Sequence, residues 1–282
     1  MTLISIVVLN YRRADDTIRC VQSILEQANS DAQIIVIDNH SQDGSAEKIK
    51  GFNGSLPAPF TFLELDTNNG FSAGNNAGIR FALDSGAQYI WLLNNDTVLL
   101  PGAFRAMDAK KSPTSVLGSV LYDYGTENIQ TWGGGLLTTW SGINRDVRSM
   151  RPLDYVTGAS MLFPRSLVEA IGLWDETFFL YWEDIDFSHR ARTAGFELKT
   201  AEDARIWHRG GASTVPRSYV DVYNRTRNCF RFYAKHYPNR LTLVCLLHLS
   251  KFPRGIFLLR NRAYVSAVAH AYMDLIRALV RR

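Results

Sequence analysis

Three features of the N-terminal third predict an α/β fold with a mostly parallel sheet. Four short apolar runs, "LISIVVLN" (3–10), "QIIVID" (33–38), "FTFLEL" (60–65) and "YIWLLN" (89–94), suit strands buried on both faces. Segments of helical character alternate with them at 15–27, 45–50 and 72–83. Each run ends in polar residues: Asn10-Tyr11, Asp38-Asn39, Asp66-Thr67 and Asn94-Asn95-Asp96. Parallel strands bring such ends to one edge, where α/β sheets place ligands.

The first run begins almost at Met1, without a basic region before it or a small-residue cleavage site after it, and reads as a strand and not as a signal peptide. No apolar run approaches the 18 or so residues needed to span a bilayer. The composition, 46% hydrophobic and 21% charged over 282 residues, is that of a globular protein. Cys20, Cys229 and Cys245 lack metal-like spacing and cannot all pair, which favours a reducing compartment. Beyond residue 112 the alternation loosens. Residues 131–142 read as a glycine-rich loop or hairpin, and 154–172 as a strand, a turn at Pro164 and a short helix. Helical patterns dominate from 219 onward.

Four stretches can carry chemistry. In "VIDNHSQDGS" (36–45) a carboxylate leaves a buried strand and can bind a base or ribose; a plain turn is the alternative. "NNGFSAGNNAGI" (68–79) has small residues entering a helix, which suits a phosphate, although it lacks the Lys and spacing of a P-loop. "FFLYWEDIDFSHRARTAG" (178–195) sets three carboxylates after an aromatic wall. Asp186 can pair with Arg190 four residues on, and acids suit a first helical turn, but one carboxylate beside aromatics can also act as a general base. "IWHRGGAST" (206–214) offers His208, a structural histidine or a partner for Asp96 around Mn²⁺ or Mg²⁺.

In this order, together with "SIVVLNYRR" and "LLNNDT", these motifs resemble the family 2 glycosyltransferases of GT-A fold, with the closest likeness to their rhamnosyltransferase-like branch. The resemblance spans roughly residues 2–236. It implies a transferase domain at 1–236 and a basic amphipathic helical tail at 237–282. The site residues it implies are Asn10, Tyr11 and Asp38 at the nucleotide, Asn69, Gly70, Gly74 and Asn75 along the sugar and diphosphate, and Asn94 and Asn95 near ribose or donor sugar. It further implies Asp96 and His208 on a divalent metal, Mn²⁺ or Mg²⁺, and the pair Glu183-Asp184 with Asp184 as general base. Trp182, with Tyr181, is placed to stack on a sugar face, core packing being the alternative. Asn94 stands where a strict DxD motif has Asp and offers an oxygen without charge. The implied reaction inverts the anomeric centre. Its donor would be dTDP-L-rhamnose or a UDP-hexose, and its acceptor a lipid-linked glycan of a bacterial surface polysaccharide.

Charge is uneven. Residues 205–282 hold 15 Lys+Arg against 2 Asp+Glu, and residues 1–204 hold 16 against 25. With Leu, Phe and aromatics interleaved, as in "KFPRGIFLLRNR" (251–262), the tail suits an anionic membrane surface better than nucleic acid. Its last helix would set Val265, Val268, Tyr272, Ile276 and Leu279 on one face and Arg277, Arg281 and Arg282 on others. A cytoplasmic enzyme, peripheral on the inner face of the membrane, is expected; packing on the sheet or in a homodimer is the other use of such helices. Two rival functions remain. A nucleotidyltransferase would need a glycine-rich loop where "NYRRADD" stands, and a non-catalytic nucleotide-sugar binder would not need Asp96, Asp184 and His208 together.

Overall fold

The computed structural model describes residues 3–28, 32–57, 60–210, 218–250 and 262–280. All four predicted strands form: β1 (Ile4–Asn10), β2 (Ala32–Asp38), β3 (Thr61–Glu64) and β4 (Tyr89–Asn94). Every residue of β1 is buried because both faces of the sheet are covered. Ile4, Ile6 and Val8 pack with Cys20, Val21 and Ile24 of α1 (Ala14–Leu25), while Val7 and Leu9 pack with Ile79 and Ala82 of α3 (Phe71–Asp84). β1 runs parallel to both β2 and β4, with Asn10 opposite Asp38 and Leu9 opposite Asn94. The chain thus builds β1, β2 and β3 outward in one direction and places β4 on the other side of β1. That reversal opens a crevice at the strand C-termini. α2 (Ser45–Gly54), joining β2 and β3, runs beyond its predicted end.

Glycines set the spacing between α3 and β1. A Cβ on Gly78 would lie 2.4 Å from Val7 Cγ1, and one on Gly74 would lie 2.7 Å from Leu9 Cδ1. Gly74 therefore serves helix–sheet packing.

The second half contributes strands beyond the one expected within 154–172. In the sheet order β3-β2-β1-β4, then β11 (Ser160–Pro164), β6 (Ser115–Asp123), β12 (Glu197–His208) and β5 (Thr97–Leu99), β6 and β12 are parallel to each other. β11 is antiparallel to β4 and β6, and β5 is antiparallel to β12. α4 (Ala103–Lys110) follows β5, β7 (Ile129–Trp132) pairs with β6, and α5 (Arg165–Ile171) follows the turn at Pro164. The glycine-rich stretch forms a hairpin, β8 (Gly134–Thr138) and β9 (Ile143–Asp146), extended by β10 (Tyr155–Val156) into a second sheet.

α6 (Glu183–Thr193) precedes β12, and three helices close the described chain: α7 (Tyr219–His236), α8 (Pro238–Ser250) and α9 (Arg262–Val280). They share a core with the 178–182 loop and the start of α6, where Phe230, Phe232 and Tyr233 of α7 and Leu241 and Val244 of α8 meet Phe178, Trp182 and Ile185. In α9 Val268 is buried and Tyr272 packs inward, whereas Ile276 of the predicted apolar face is exposed. Residues 251–261, Arg281 and Arg282 lie outside the described residues. No helix among the described residues is long and apolar enough to cross a membrane.

Candidate active site

The strand ends open onto a cleft of about 400 Å³. Tyr11, Asn39, Asn68 and Gly70 line one part and Asn94, Asn95 and Asp96 another; Phe179, Leu180 and Tyr181 form the facing wall. Asn10 and Asp38 sit behind it as a buried lattice. Asn10 Nδ2 donates to Asp38 Oδ1 at 2.6 Å, Thr17 Oγ1 donates to Asn10 Oδ1 at 2.7 Å, and Ser41 donates to Asp38 through both N and Oγ. Their direct effect is to fix the β1 and β2 ends, which leaves Tyr11 as the member of that trio lining the cleft. In the following loop Asn68, not Asn69, lines the cleft. Asn68 Oδ1 accepts from Asn39 Nδ2 and Gly70 N, while exposed Asn69 donates to Thr67 Oγ1. Gly70 needs its φ of +99°, and its Cβ position is only 2.6 Å from the Phe179 carbonyl oxygen. Asn75 is buried and donates within its own helix to the Phe71 carbonyl.

Asp96 meets His208 because β5 pairs with β12, setting Thr97 opposite His208. His208 Nε2 is 3.3 Å from Asp96 Oδ1 and 3.4 Å from Asn94 Nδ2. On the far side of the ring, Nδ1 is 2.9 Å from Gln130 Oε1, while Gln130 Nε2 donates to the His208 carbonyl at 2.8 Å. An amide oxygen only accepts, so the Gln130 contact puts a proton on Nδ1; Nε2 bonds Asp96 when it too carries a proton and presents a lone pair to a metal when it does not. Burial opposes ionisation of Asp96, but the imidazole of His208 and backbone N–H groups outweigh it and hold the carboxyl below its ordinary value. Asn94 Oδ1 is buried with no hydrogen-bond partner. One carboxylate, one oriented imidazole and one unpartnered amide oxygen fit Mn²⁺ better than a thiophilic metal. Among the described residues no three His, Cys, Asp or Glu side chains converge, so oxygens from a bound diphosphate would be needed to complete such a shell.

The acidic pair stands on a strained entry to α6. Tyr181 and Trp182 both adopt left-handed backbone, φ 69° and 75°, which bulky residues hold only when their surroundings impose it. Asn228 Nδ2 donates to the carbonyls of Leu180 and Tyr181, and the Arg225 guanidinium lies 3.8 Å from the Tyr181 ring centre. Asp184 Oδ2 accepts from Gly158 N and Oδ1 from Ile185 N. Its carboxyl is pushed up to about 6, chiefly by burial, with the charge of Asp146 adding to the effect and the two N–H bonds opposing it. Glu183 is more deeply buried, with Oε2 unpartnered, and burial and the Asp184 charge raise it well above the ordinary range. A raised carboxyl favours the fold below its unfolded value of 4.5 and loses that advantage as pH climbs toward the native value. Glu183→Gln is therefore expected to melt higher than wild type at alkaline pH, with the gap closing at pH 4; a gap that does not depend on pH would contradict a neutral Glu183.

Trp182 is not in the cleft. It is buried with its ring 5.3 Å from Phe232, and it lines a separate cavity of about 220 Å³ with Arg225, Thr226 and His248. Two contributors lay beyond the sequence reading. Gln130, on β7, orients His208. Asp146, on β9, accepts from Tyr155 Oη at 3.0 Å, and its charge is felt at Asp184 while His208 acts on Asp146 in turn. Neither stretch carries a local signature.

A sheet with a crevice at its switch point, a carboxylate–imidazole pair on one wall and an acidic pair behind the other define a GT-A transferase fold. Correspondingly, a mannosyltransferase from Pyrobaculum calidifontis, solved with GDP-Man and Mn²⁺, superposes over 99% of this chain and 78% of its own with a TM-score of 0.62 at 15% identity. The profile of glycosyl transferase family 2 matches residues 5–172, and that of glycosyl transferase family group 2 matches 89–278. The chain belongs to glycosyl transferase family 2 and is a glycosyltransferase. It is 25% identical to the low-salt glycan biosynthesis hexosyltransferase Agl10 of Haloferax volcanii over 80% of this chain and 74% of that protein. It is 29% identical to the N-acetylglucosaminyl-diphospho-decaprenol L-rhamnosyltransferase of Mycobacterium tuberculosis over 32% of this chain and 31% of that protein. It spans about half the length, 49%, of the poly-beta-1,6-N-acetyl-D-glucosamine synthase of Staphylococcus epidermidis.

Proposed function

We propose that the chain transfers a hexosyl unit, L-rhamnose from dTDP-rhamnose or a hexose from a UDP-sugar, to a hydroxyl of a lipid-linked glycan, with inversion. The observation that carries this is one cleft lined by Asp96, which His208 contacts at 3.3 Å, and by the 179–181 segment, which leads straight into Glu183-Asp184. Tyr11, Asn68 and Gly70 receive the nucleotide and diphosphate side of the donor. Asp184 accepts the acceptor hydroxyl's proton as that oxygen attacks the anomeric carbon, and the bond from that carbon to the diphosphate breaks on the opposite face. Asp96 and His208, with Asn94 Oδ1 beside them, would hold Mn²⁺ or Mg²⁺, which supplies Lewis-acid stabilisation of the leaving diphosphate. The named activities of the glycan hexosyltransferase and the rhamnosyltransferase support the acceptor and donor classes. We assign residues 1–236 to transfer and 237–282 to holding the enzyme peripherally on the cytoplasmic face of the membrane.

A thermal-shift screen of dTDP- and UDP-sugars with and without Mn²⁺, followed by product analysis on a lipid-linked acceptor, tests the reading. A metal-dependent shift with one donor class and transfer of its sugar are expected; a shift with nucleoside triphosphates alone would favour nucleotidyl transfer instead. Asp96→Asn is expected to weaken Mn²⁺-dependent binding of the nucleoside diphosphate by roughly 10- to 100-fold. Wild-type binding that is unchanged by Mn²⁺ or by chelator removes the metal assignment.

A further inference from the structure

The β8–β9 hairpin and the segment after it to Arg151 expose apolar side chains that nothing in the site uses. Trp140 is 58% exposed, Ile143 47% and Met150 66%, and the exposed Arg145, Arg148 and Arg151 alternate with them. The hairpin is nonetheless firmly seated. Gly142, at φ +71°, presses its backbone against α7 and α8, so that a Cβ there would lie 3.0 Å from Cys229 Sγ and 3.2 Å from Val244 Cγ1. Arg240 Nη1 donates to Thr139 Oγ1, and Tyr233 Oη donates to the Thr138 carbonyl. On α8, beside the turn, Leu243, Leu246 and Leu249 are exposed as well. Exposed apolar groups gathered on adjoining elements mark an interaction surface.

We infer that the hairpin and the outer face of α8 form a surface that docks on an anionic lipid bilayer, Trp140, Ile143 and Met150 entering the interface among the headgroups bound by the three arginines. Charge selects this occupant. Between residues 139 and 151 the one acidic side chain is Asp146, engaged by Tyr155, against three exposed arginines. A two-fold contact with a second copy would set that arginine row against itself. A bilayer interface instead favours both indole rings and cations. β8 of this hairpin pairs with β10, and Gly158 just beyond β10 donates to Asp184, so docking would turn the acceptor side of the cleft toward the membrane. This orientation rests on the transferase reading; the docking itself does not.

Co-sedimentation of the full chain with phosphatidylcholine vesicles, with and without phosphatidylglycerol, tests it without turnover. Wild type is expected to bind the anionic vesicles. Arg145→Glu/Arg151→Glu and, separately, Trp140→Ser/Met150→Ser are expected to bind roughly tenfold more weakly or worse. Trp140→Phe is expected to reduce the blue shift of fluorescence on vesicle addition. All these side chains are exposed, so unchanged melting temperatures and unchanged transfer to a detergent-solubilised acceptor are expected. Hairpin variants that bind like wild type would assign binding to another segment and overturn the inference. So would equal binding to neutral vesicles, or a concentration-dependent dimer that the variants lose while vesicle binding is absent. Loss of transfer with vesicle binding intact would refute the catalytic reading and leave this one standing.

Discussion

Asp184→Asn is expected to lower the transfer rate by roughly 10²- to 10⁴-fold, the usual range for loss of a general base, with donor affinity near wild type. The substitution is nearly isosteric, and its amide oxygen can still accept from Gly158 N or Ile185 N, so α6 should keep its first turn. What it removes is the capacity to take a proton. Asp184 suits that task better than Glu183 for a physical reason. Both are raised by burial, but two backbone N–H groups favour ionised Asp184, whereas Glu183 Oε2 has no partner and Glu183 feels the charge of its neighbour. At neutral pH Asp184 is the ionised member. Because a base must be deprotonated to act, wild-type kcat/KM is expected to fall as pH drops through about 6. That acid limb should be missing from the residual activity of the variant. Stopped assays across pH, with donor binding measured alongside, decide it. Transfer near the wild-type rate, or an acid limb retained in Asp184→Asn, would move the role to another group.

Strand and helix alternation made the first four strands and their shared polar edge legible, since burial on both faces leaves apolar runs that end where the sheet ends. The same logic pointed to Asp96, which lines the cleft, whereas Asp184 was read from carboxylates following an aromatic run and from the family resemblance. Asn10, Asp38 and Gly74, named through the resemblance, hold the edge together from behind the cleft, and Trp182 packs outside it. Sequence pattern reports that a residue is at a strand end or a helix start, but the direction of its side chain is settled by packing. For Trp182 the deciding contact is Phe232, about fifty residues later. Gln130 and Asp146 stayed invisible for a related reason. β7 and β9 are short, partly exposed strands, and their roles arise only when β12 and β10 pair nearby. The long strands β6 and β12 were obscured differently: β12 carries Lys, Glu, Asp and Arg between its buried positions and shifts register between Ala201 and Arg205.

The reading of Asp186 as an ion-pair partner of Arg190 finds a larger version in the structure, and from it comes the largest expected effect on stability. Asp186 is fully buried, with Arg190 Nε at 2.8 Å, Lys235 Nζ at 2.8 Å and His236 Nε2 at 2.7 Å. Burial alone would raise its carboxyl. The hydrogen bond from His236, the charge of Arg190 and the Lys235 contact reverse that and hold it far below the ordinary range. Lys235 also reaches Asp175, so the group ties α6, α7 and the 175–178 loop together. Asp186→Ala leaves half-buried cations facing one another, and breaking such a group by removing one partner typically costs about 3–5 kcal/mol. For a chain of this size that corresponds to a melting temperature lower by on the order of 10 °C. Asp186→Asn should lose less, because one oxygen still accepts. The sign with pH follows from the depressed carboxyl. Its contribution is complete above the unfolded value of 3.8 and is lost as pH falls from there toward the native value, so the gap between wild type and Asp186→Ala should be widest near neutrality and shrink in acid. Since Asp184 stands two residues earlier in the same first turn, a loosened α6 should also raise the mobility of the proposed base, and transfer should fall in Asp186→Ala even below its melting temperature. An Asp186→Ala protein that melts with wild type at neutral pH would mean that the cluster is solvated in solution and that α6 is held by its apolar face alone.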